Sequence, residues 1–201
     1  MNNTKQTIVN IASAALPTTY GVFQIRIYKS PEDGLEHVVL IKGKKIKEPI
    51  LVRIHSECLT GEVFTSLRCD CRDQLIKSLT EISKAKSGIL IYLNQEGRGI
   101  GLTNKIKAYA LQENGLDTVE ANEQLGFATD LRSFKVAAQI LKKLKICKIN
   151  ILTNNPDKIT QLENFGIQIN KTIPLEIKPN LIDIRYLKTK KYKMGHKLKL
   201  V

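Results

Sequence analysis

Apolar and polar side chains alternate along residues 21–30, a period of two that is typical of a half-buried strand. Similar short apolar segments follow, and the unbroken run GILIYL is typical of a strand buried on both faces. The stretch before residue 20 is interrupted by Asn10 and Ser13, so it fits a strand better than a secretion signal. The other strands predicted in this way are residues 35–41, 50–54, 88–93 and 148–153.

Apolar residues spaced by three and four predict three longer helices, at residues 72–86, 102–113 and 132–145. In the first, this spacing extends from Leu75 to Ile82. The second ends before Asn114 and Gly115, which form a typical C-cap. Asp130 stands where the N-cap of the third is expected. The inward face of the third is predicted to be Val136, Ala137, Ile140, Leu141 and Leu144.

The order of these elements predicts the fold class. Asn155 and Pro156 start a short helix that ends at Gly166, with Asn as cap and Pro in the first turn. From residue 70 onward strands and helices alternate, whereas the first third is richer in strands. We therefore expect an α/β protein with a mixed sheet flanked by helices, forming a single domain over residues 1–201.

The chain is strongly basic and otherwise average in composition. With 42% hydrophobic and 25% charged residues, its 201 residues do not have the composition of a disordered chain. No apolar run approaches the roughly 18 residues of a membrane span, so we expect a cytoplasmic protein. The net charge of +13 indicates an anionic partner, either nucleic acid, a phosphorylated metabolite or a membrane surface. The absence of Trp and of zinc-finger spacing counts against nucleic acid.

The basic residues are unevenly distributed. The basic C-terminal segment, residues 171–201, has nine basic and two acidic residues, so either a solvated surface or an ordered segment is compatible with it. Arginine binds phosphate through two parallel hydrogen bonds, which makes the few arginines of this Lys-rich chain informative. Five of the seven lie in its middle, at Arg53, Arg68, Arg72, Arg98 and Arg132.

Three of the four cysteines are clustered, because Cys58, Cys69 and Cys71 lie within 14 residues. In a cytoplasmic chain such a cluster indicates a metal or catalysis before disulfides. Three ligands with an open fourth position are typical of catalytic zinc, and three buried thiols are the alternative. His55 lies close in sequence. Cys147, in an apolar segment, is predicted to be a core cysteine.

Two turns from a predicted strand into a predicted helix have the character of anion sites. Residues 95–101, QEGRGIG, contain glycines whose backbone N–H groups can approach an anion at a helix N-terminus, although a tight turn also explains them. They lack the Gly-Lys-Ser/Thr ending of a nucleotide-binding P-loop, which counts against an ordinary ATPase. Residues 153–158, TNNPDK, form the second turn and end in a lysine.

Four long motifs, in this order, resemble GTP cyclohydrolase II, the first enzyme of riboflavin synthesis. They are RIHSECLTGEVFTSLRCDCRDQL at 53–75, QEGRGIGLTNKIKAYALQ at 95–112, DTVEANEQLGFATDLRSF at 117–134 and LTNNPDK at 152–158. The resemblance runs from about Leu16 to Lys199 and implies a homodimer with one zinc per subunit. Because it reaches the basic C-terminal segment, we expect that segment to order on the protein or near the active site. We expect no nucleic acid or membrane as partner. The resemblance implies Mg²⁺-assisted hydrolysis of GTP that opens the guanine imidazole ring and releases formate and diphosphate. The product would be 2,5-diamino-6-ribosylamino-4(3H)-pyrimidinone 5′-phosphate.

The resemblance also implies roles for individual residues. The zinc ligands are Cys58, Cys69 and Cys71. Asp130 is the proton acceptor, Arg132 the nucleophile toward the α-phosphate, and Tyr109 the tyrosine beside the ring. The substrate-binding residues are Arg53, Ile54, His55, Ser56, Glu57, Gln74, Glu96, Gly97, Arg98, Thr118, Thr153 and Lys158.

Elementary chemistry leaves the role of Arg132 open. A guanidinium has a pKa above about 12 and stays protonated in proteins, so it lacks the free lone pair of a nucleophile. We therefore favour an electrostatic role over a covalent one. The sequence departs from the family at Glu62, usually Asp, and at Thr65 and Arg72, usually small residues such as Gly. Arg72 in particular could crowd the predicted metal turn or add positive charge beside it.

Three classes of function fit these motifs. The first is the GTP-hydrolysing enzyme, and the second is a non-catalytic or regulatory relative that binds GTP. The third is a zinc-bearing nucleic-acid-binding module. The complete cysteine cluster, together with Asp130 and Arg132, favours the enzyme.

Overall fold

A mixed sheet forms the centre of the protein, as the sequence predicts, and it has seven strands. The computed structural model describes residues 7–201, so the first six residues of the predicted domain lie outside the described part. The strands are β1 (Val9–Thr18), β2 (Gly21–Lys29), β3 (Glu36–Lys42), β4 (Ile50–Ser56), β5 (Gly88–Leu93), β6 (Lys148–Leu152) and β7 (Gln168–Ile173). Their order across the sheet is β1-β2-β3-β5-β4-β6-β7. The pairings of β1 with β2, β2 with β3 and β3 with β5 are antiparallel, whereas β4 pairs parallel with β5 and β6, and β6 with β7.

Helices occupy the connections of the second part of the chain. They are α1 (Leu59–Glu62), α2 (Cys71–Lys84), α3 (Gly101–Glu113), α4 (Thr118–Gln124), α5 (Lys135–Lys143), α6 (Pro156–Asn164) and α7 (Ile184–Tyr192). A 3-10 turn, Glu96–Gly99, precedes α3. Asn155 caps α6 by accepting a hydrogen bond from the backbone N–H of Asp157, which confirms the predicted Asn-Pro start.

Both faces of the sheet are covered, and β5 illustrates how. Ile89, Ile91 and Leu93 belong to the larger core, which α5 and α6 complete. Leu90 and Tyr92 point to the opposite face, where they join a smaller cluster that includes apolar residues of α2. The unbroken apolar run therefore forms a strand that is buried on both faces, as predicted.

The prediction for the start of α5 is wrong. The helix begins at Lys135 rather than at residue 132, and Phe134 instead of Asp130 is its N-cap. The Asp130 carboxylate accepts hydrogen bonds from both the backbone N–H and the guanidinium of Arg132. Since Leu131 donates its backbone N–H to the carbonyl of Arg98, this segment is held outside the helix.

The prediction of a buried Cys147 is also wrong, because this residue is exposed. It stands between Ile146, which is fully buried, and β6. Its backbone N–H donates to the carboxylate of Glu48. The apolar surroundings in sequence misled the prediction, since neighbouring positions in an extended segment face opposite sides.

The carboxyl ends of the parallel strands locate the candidate site. β4, β5 and β6 are followed by the cysteine segment, the 95–101 turn and the 153–158 turn, respectively. In open α/β sheets ligands bind beyond the carboxyl ends of such strands. The motifs that lie far apart in sequence therefore meet at one edge of the sheet.

Candidate active site

A single cavity contains most of the residues singled out in the sequence. Its walls come from the ends of β4, β5 and β6 together with α2, α3, α4 and α7. The predicted site residues that line it are Arg53, His55, Ser56, Cys58, Cys69, Cys71, Gln74, Glu96, Gly97, Arg98, Tyr109, Thr118, Arg132, Thr153 and Lys158.

Three of the predicted site residues do not line this cavity. The side chain of Ile54 is fully buried in the larger core, although its carbonyl oxygen accepts a hydrogen bond from Lys158 Nζ at 2.7 Å. Glu57 lines a second cavity on the other side of the 95–101 turn. Asp130 lies behind Arg132, to which it is bound. Any contact of Ile54 with substrate would have to come from its backbone.

The three clustered cysteines converge at one end of the cavity. Cys58 follows β4, Cys69 lies just before α2, and Cys71 is the first residue of α2. Their sulfur atoms all lie within 4.8 Å of one another, with 3.6 Å between those of Cys58 and Cys69. Gly61 passes beside them, since a Cβ on it would be 2.9 Å from Cys69 Sγ. The cluster can hold a metal ion, and the chain keeps a glycine where any side chain would displace a sulfur.

A buried lysine adjoins the cysteine cluster. Lys105 of α3 places its Nζ 3.2 Å from Cys58 Sγ and 2.8 Å from Glu96 Oε1. Hydrogen bonds from the Cys69 and Cys71 thiols lower the pKa of Cys58, and the Lys105 charge lowers it further. Although burial opposes it, the hydrogen bond to Glu96 raises the pKa of Lys105, which therefore stays charged. The surroundings favour a thiolate at Cys58.

Glu96 organises the 95–101 turn. Besides Lys105, its carboxylate accepts hydrogen bonds from the backbone N–H groups of Leu59 at 2.6 Å and Gly97 at 2.7 Å. Gly97 and Arg98 both have left-handed backbone angles, with φ of 62° and 60°. Since the Gly97 N–H is already paired, it is not free to bind an anion. The turn also presents the guanidinium of Arg98, whose two terminal nitrogens are buried without a hydrogen-bond partner among the described residues.

A hydrogen-bonded chain crosses the floor of the cavity. Arg53 donates to Gln74 Oε1 at 2.7 Å, and Gln74 Nε2 donates to Asp70 Oδ2 at 2.6 Å. Arg53 also donates to the carbonyl of Leu152 at 3.0 Å. Burial lowers the pKa of Arg53 to about 10, so it remains a cation at neutral pH. The chain fixes the orientation of the Gln74 amide and leaves it one N–H and one acceptor lone pair.

His55 belongs to a branch of this network rather than to the cysteine cluster. Its Nε2 lies 2.7 Å from Glu62 Oε1, and the other oxygen of Glu62 accepts from Tyr92 at 2.6 Å. Burial lowers the pKa of His55. Glu62, which the sequence marked only as a departure from the family, therefore positions a cavity residue.

Arg132 is held by two parallel hydrogen bonds to Asp130. Its Nε lies 2.9 Å from Oδ1 and its NH2 2.5 Å from Oδ2. Although burial opposes both shifts, the ion pair raises the pKa of Arg132 and lowers that of Asp130. In this arrangement the arginine is protonated and the carboxylate is a weak base.

Two further predicted residues that line the cavity are Lys158 and Tyr109. Burial, followed by the charges of Arg53 and Arg132, lowers the pKa of Lys158 well below its usual value. Burial raises the pKa of Tyr109, whose hydroxyl lies 3.2 Å from Thr60 Oγ1. Tyr109 is therefore a neutral phenol close to the cysteines.

The C-terminal segment supplies site residues that sequence analysis missed. It folds over the cavity, and Lys190 of α7 lies 3.2 Å from Asp70 Oδ1. No short motif marks these residues, since partners such as Asp70 lie far away in the sequence. Lys105, which lies inside the second motif, also lines the cavity although no role was predicted for it. The lining residues of the segment that were missed are Tyr186, Lys190, Met194, His196 and Leu198.

Two of the departures from the family have a structural meaning. Thr65 has a left-handed φ of 57°, a conformation that favours Gly and is costly for a β-branched residue. Arg72 is exposed, so it does not crowd the cysteines. The metal turn is therefore compatible with this arginine.

Comparison with known proteins agrees with the geometry of the site. The model of the GTP cyclohydrolase II family matches residues 9–174, and the chain belongs to this family. It is 50% identical over 199 residues to the riboflavin biosynthesis protein RibBA of Endomicrobium trichonymphae, covering 98% of this chain and 49% of that protein. It is 53% identical over 195 residues to RibBA of Aquifex aeolicus (strain VF5), covering 96% and 48%.

The chain spans about half the length of the curated relatives it matches. Among solved structures, RibBX, a two-domain 3,4-dihydroxy-2-butanone 4-phosphate synthase from A. baumannii, has a TM-score of 0.48 and 18% identity. That likeness covers 85% of this chain and 41% of the other. Within residues 7–201, no helix has the length and apolar character needed to span a membrane.

Proposed function

We propose that this chain hydrolyses GTP, opening the guanine imidazole ring with release of formate and diphosphate. The product is 2,5-diamino-6-ribosylamino-4(3H)-pyrimidinone 5′-phosphate, and the reaction is the first step of riboflavin synthesis. One observation carries this proposal: a single cavity combines a three-cysteine cluster with several buried cations. Membership of the GTP cyclohydrolase II family supports it.

The metal we propose is zinc, one per chain, held by Cys58, Cys69 and Cys71. Tetrahedral zinc with Zn–S bonds of about 2.3 Å places two sulfurs about 3.8 Å apart. The 3.6 Å between Cys58 and Cys69 is close to that value, and Gly61 keeps the space beside the sulfurs free. Bound zinc would supply an activated water for attack on C8 of guanine.

In this proposal Gln74, on the floor of the cavity, recognises the nucleobase. The guanine edge offers N–H and NH₂ donors beside a carbonyl acceptor. Gln74 retains one donor and one acceptor after its bonds to Asp70 and Arg53, so it can pair with that edge in one orientation. Glu57, which lines the other cavity, is less suited to this role.

The triphosphate is bound by basic side chains that lack an acidic partner within residues 7–201. In that part of the chain Arg98 has no hydrogen-bond partner at its two terminal nitrogens, Lys158 donates to a carbonyl, and Arg53 donates to neutral oxygens. Burial lowers the pKa of Lys158, and a bound polyanion would favour its charged form. A nucleotide with Mg²⁺ would offset this excess positive charge. Thr118 and Thr153, which line the same cavity, add hydroxyl groups.

Proton transfer near the ring is assigned to Tyr109. As a neutral phenol beside the cysteine cluster, it can donate a proton or a hydrogen bond to the opening ring. Asp130 could accept a proton only after its carboxylate parts from Arg132. We therefore assign Asp130 to positioning Arg132 in the resting protein.

Arg132 stabilises charge on the α-phosphate in our proposal. Its protonated guanidinium, fixed by Asp130, is suited to the negative charge that develops as diphosphate leaves. The raised pKa argues against a free lone pair for covalent attack.

We further propose that residues 1–201 form one domain of a cytoplasmic homodimer, with no nucleic acid or membrane partner.

The test is incubation of the purified chain with GTP, Mg²⁺ and Zn²⁺, with formate and diphosphate assayed together. We expect equal amounts of both products. Cys147→Ser, which alters an exposed thiol, is the matched control for Cys58→Ser and should retain activity. Binding of GTP and zinc without any formate would contradict the proposal and favour a non-catalytic relative.

A further inference from the structure

The C-terminal segment forms a wall of the cavity although it lies beyond the part that the family model matches. Its last residues are tied to the rest of the protein by backbone hydrogen bonds. Lys197 donates its N–H to the carbonyl of Asn154 at 2.9 Å, and Lys199 donates to Glu176 Oε2 at 2.8 Å. His196, between these anchors and α7, is thereby held at the cavity.

His196 brings an unpaired ring nitrogen to the site. Its Nε2 is buried and has no hydrogen-bond partner within residues 7–201. Its backbone N–H donates to the carbonyl of Lys190 at 3.0 Å, which fixes the chain beside it. A buried polar atom without a partner is costly, so such an atom at a cavity indicates a ligand contact.

Four basic side chains from four separate parts of the chain line the same cavity as this ring. Arg98 comes from the turn after β5, Arg132 from the segment before α5, Lys158 from α6 and Lys190 from α7. Two of them are compensated by acids, Arg132 by Asp130 and Lys190 by Asp70. Arg98 and Lys158 have no acidic partner among the described residues, so the surroundings of His196 have an excess of positive charge.

This environment determines the protonation state of the His196 imidazole. Burial and the four positive charges lower the pKa of His196 to about 3, so the ring is neutral at pH 7. A neutral ring with a proton on Nε2 can donate a hydrogen bond without adding a further charge to the cluster. That combination suits an anion with several oxygens.

We infer that His196 is a further substrate-binding residue, which donates its Nε2–H to an oxygen of the phosphate chain of the nucleotide. The inference rests on the proposed function for the identity of the nucleotide, whereas the contact itself requires only a phosphate chain. Arg98 and Lys158 neutralise the negative charge of the phosphate chain, and His196 donates a hydrogen bond to one of its oxygens. His196 thereby favours phosphorylated ligands over the bare nucleoside.

The test measures the binding of inorganic diphosphate and of guanosine to the full chain by calorimetry. Loss of a hydrogen bond to a charged group should weaken diphosphate binding in His196→Ala by roughly ten- to a hundredfold. Guanosine binding should stay unchanged, and His196→Asn, which keeps an N–H donor, should recover part of the loss. Tyr192→Ala is the matched control, because it removes an exposed ring from the same segment.

A second measurement detects the contact in the wild-type chain, without substituting His196. In the wild-type chain with ¹⁵N-labelled histidine, the His196 ring signals, identified by their absence in His196→Asn, should move when diphosphate is added. The signals of His37, which lies outside the cavity lining, should not. Because the chain has only three histidines, the spectrum is simple to assign.

Three outcomes would overturn the inference. They are unchanged diphosphate affinity in both His196 variants, equal weakening of guanosine and diphosphate, and unmoved His196 signals in the wild type. None of these requires turnover of GTP. Failure of the proposed function would instead be recognised by a wild-type chain that binds diphosphate through His196 but releases no formate from GTP.

Discussion

At the scale of single residues, Gly61 is as informative as the cysteines it adjoins. A Cβ at this position would lie 2.9 Å from Cys69 Sγ, which is closer than side chains approach, and 3.2 Å from Cys58 Sγ, which is a tight contact. We predict that Gly61→Ala weakens zinc binding by about ten- to a hundredfold, as changes beside metal ligands typically do. Competition with a chelator measures this. Val63→Ala, at an exposed position two residues further on, is the control, and equal zinc affinities in both variants would contradict the packing argument.

The cysteines themselves allow a sharper comparison. Cys58→Ser, Cys69→Ser and Cys71→Ser should each lose ring opening, and zinc content should fall below one per chain. Cys147→Ser should keep both, because its thiol is exposed and stands apart from the cluster. Metal analysis and formate release are the measurements. Full zinc occupancy in the Cys69→Ser, Cys71→Ser double variant would show that the metal is held elsewhere.

Arg132 distinguishes an electrostatic from a covalent mechanism. With its charge held by Asp130, we predict that Arg132→Gln lowers kcat by roughly 10³–10⁵-fold and that Arg132→Lys is less impaired. Rapid quenching with α-³²P-labelled GTP should reveal no labelled protein. An adduct that forms and decays at catalytic rates, and is absent in Arg132→Lys, would establish the covalent role instead.

At the scale of elements, segments with a clear apolar pattern were predictable, whereas β7 and α7 were not. β5 and α2 have apolar patterns imposed by the cores they enter, and their bounds agree with the predictions within a few residues. β7 is an edge strand with mostly exposed side chains, and α7 is largely basic, so neither has a clear period. The start of α5 was misplaced because Asp130 bonds to Arg132 instead of capping the helix.

The site residues likewise divide into those that the sequence could predict and those that it could not. The cysteine cluster and the two turns have local signatures, because their ligands are close in sequence or follow strand ends. Lys190 meets Asp70 across 120 residues, and Lys105 meets Cys58 across 47, so no spacing rule could join them. The resemblance to the family supplied most of the remaining assignments, yet it did not extend to the role of the C-terminal segment.

That segment provides the prediction at this scale. Truncation after Leu187 removes Lys190 and His196, leaving the buried Asp70 without its ammonium partner. We expect the KM for GTP to rise about tenfold or more, which corresponds to about 1.4 kcal/mol of lost binding free energy. Steady-state kinetics on the truncated chain and on Lys190→Met measure it, with Lys188→Met on an exposed position of α7 as control. An unchanged KM in both would mean that the segment is a solvated tail.

At the scale of the whole molecule, charge and fold serve the same site. The chain has a net charge of +13, and its cavity contains three basic side chains, Arg53, Arg98 and Lys158, that lack an acidic partner in the described part of the chain. Parallel strands bring the metal ligands and these cations to one edge of the sheet, although they are spread over more than a hundred residues. A nucleotide polyanion is the ligand class that matches both features.

The most direct test of the central claim follows the carbon that the reaction removes. GTP labelled with ¹³C at C8 is incubated with the purified chain, Mg²⁺ and Zn²⁺, and ¹³C and ³¹P NMR spectra are recorded together. The account predicts labelled formate and diphosphate appearing in equal amounts in the wild type, with no formate from Cys58→Ser. Labelled carbon that stays in an intact purine ring, while the wild-type chain is folded and contains zinc, would contradict it.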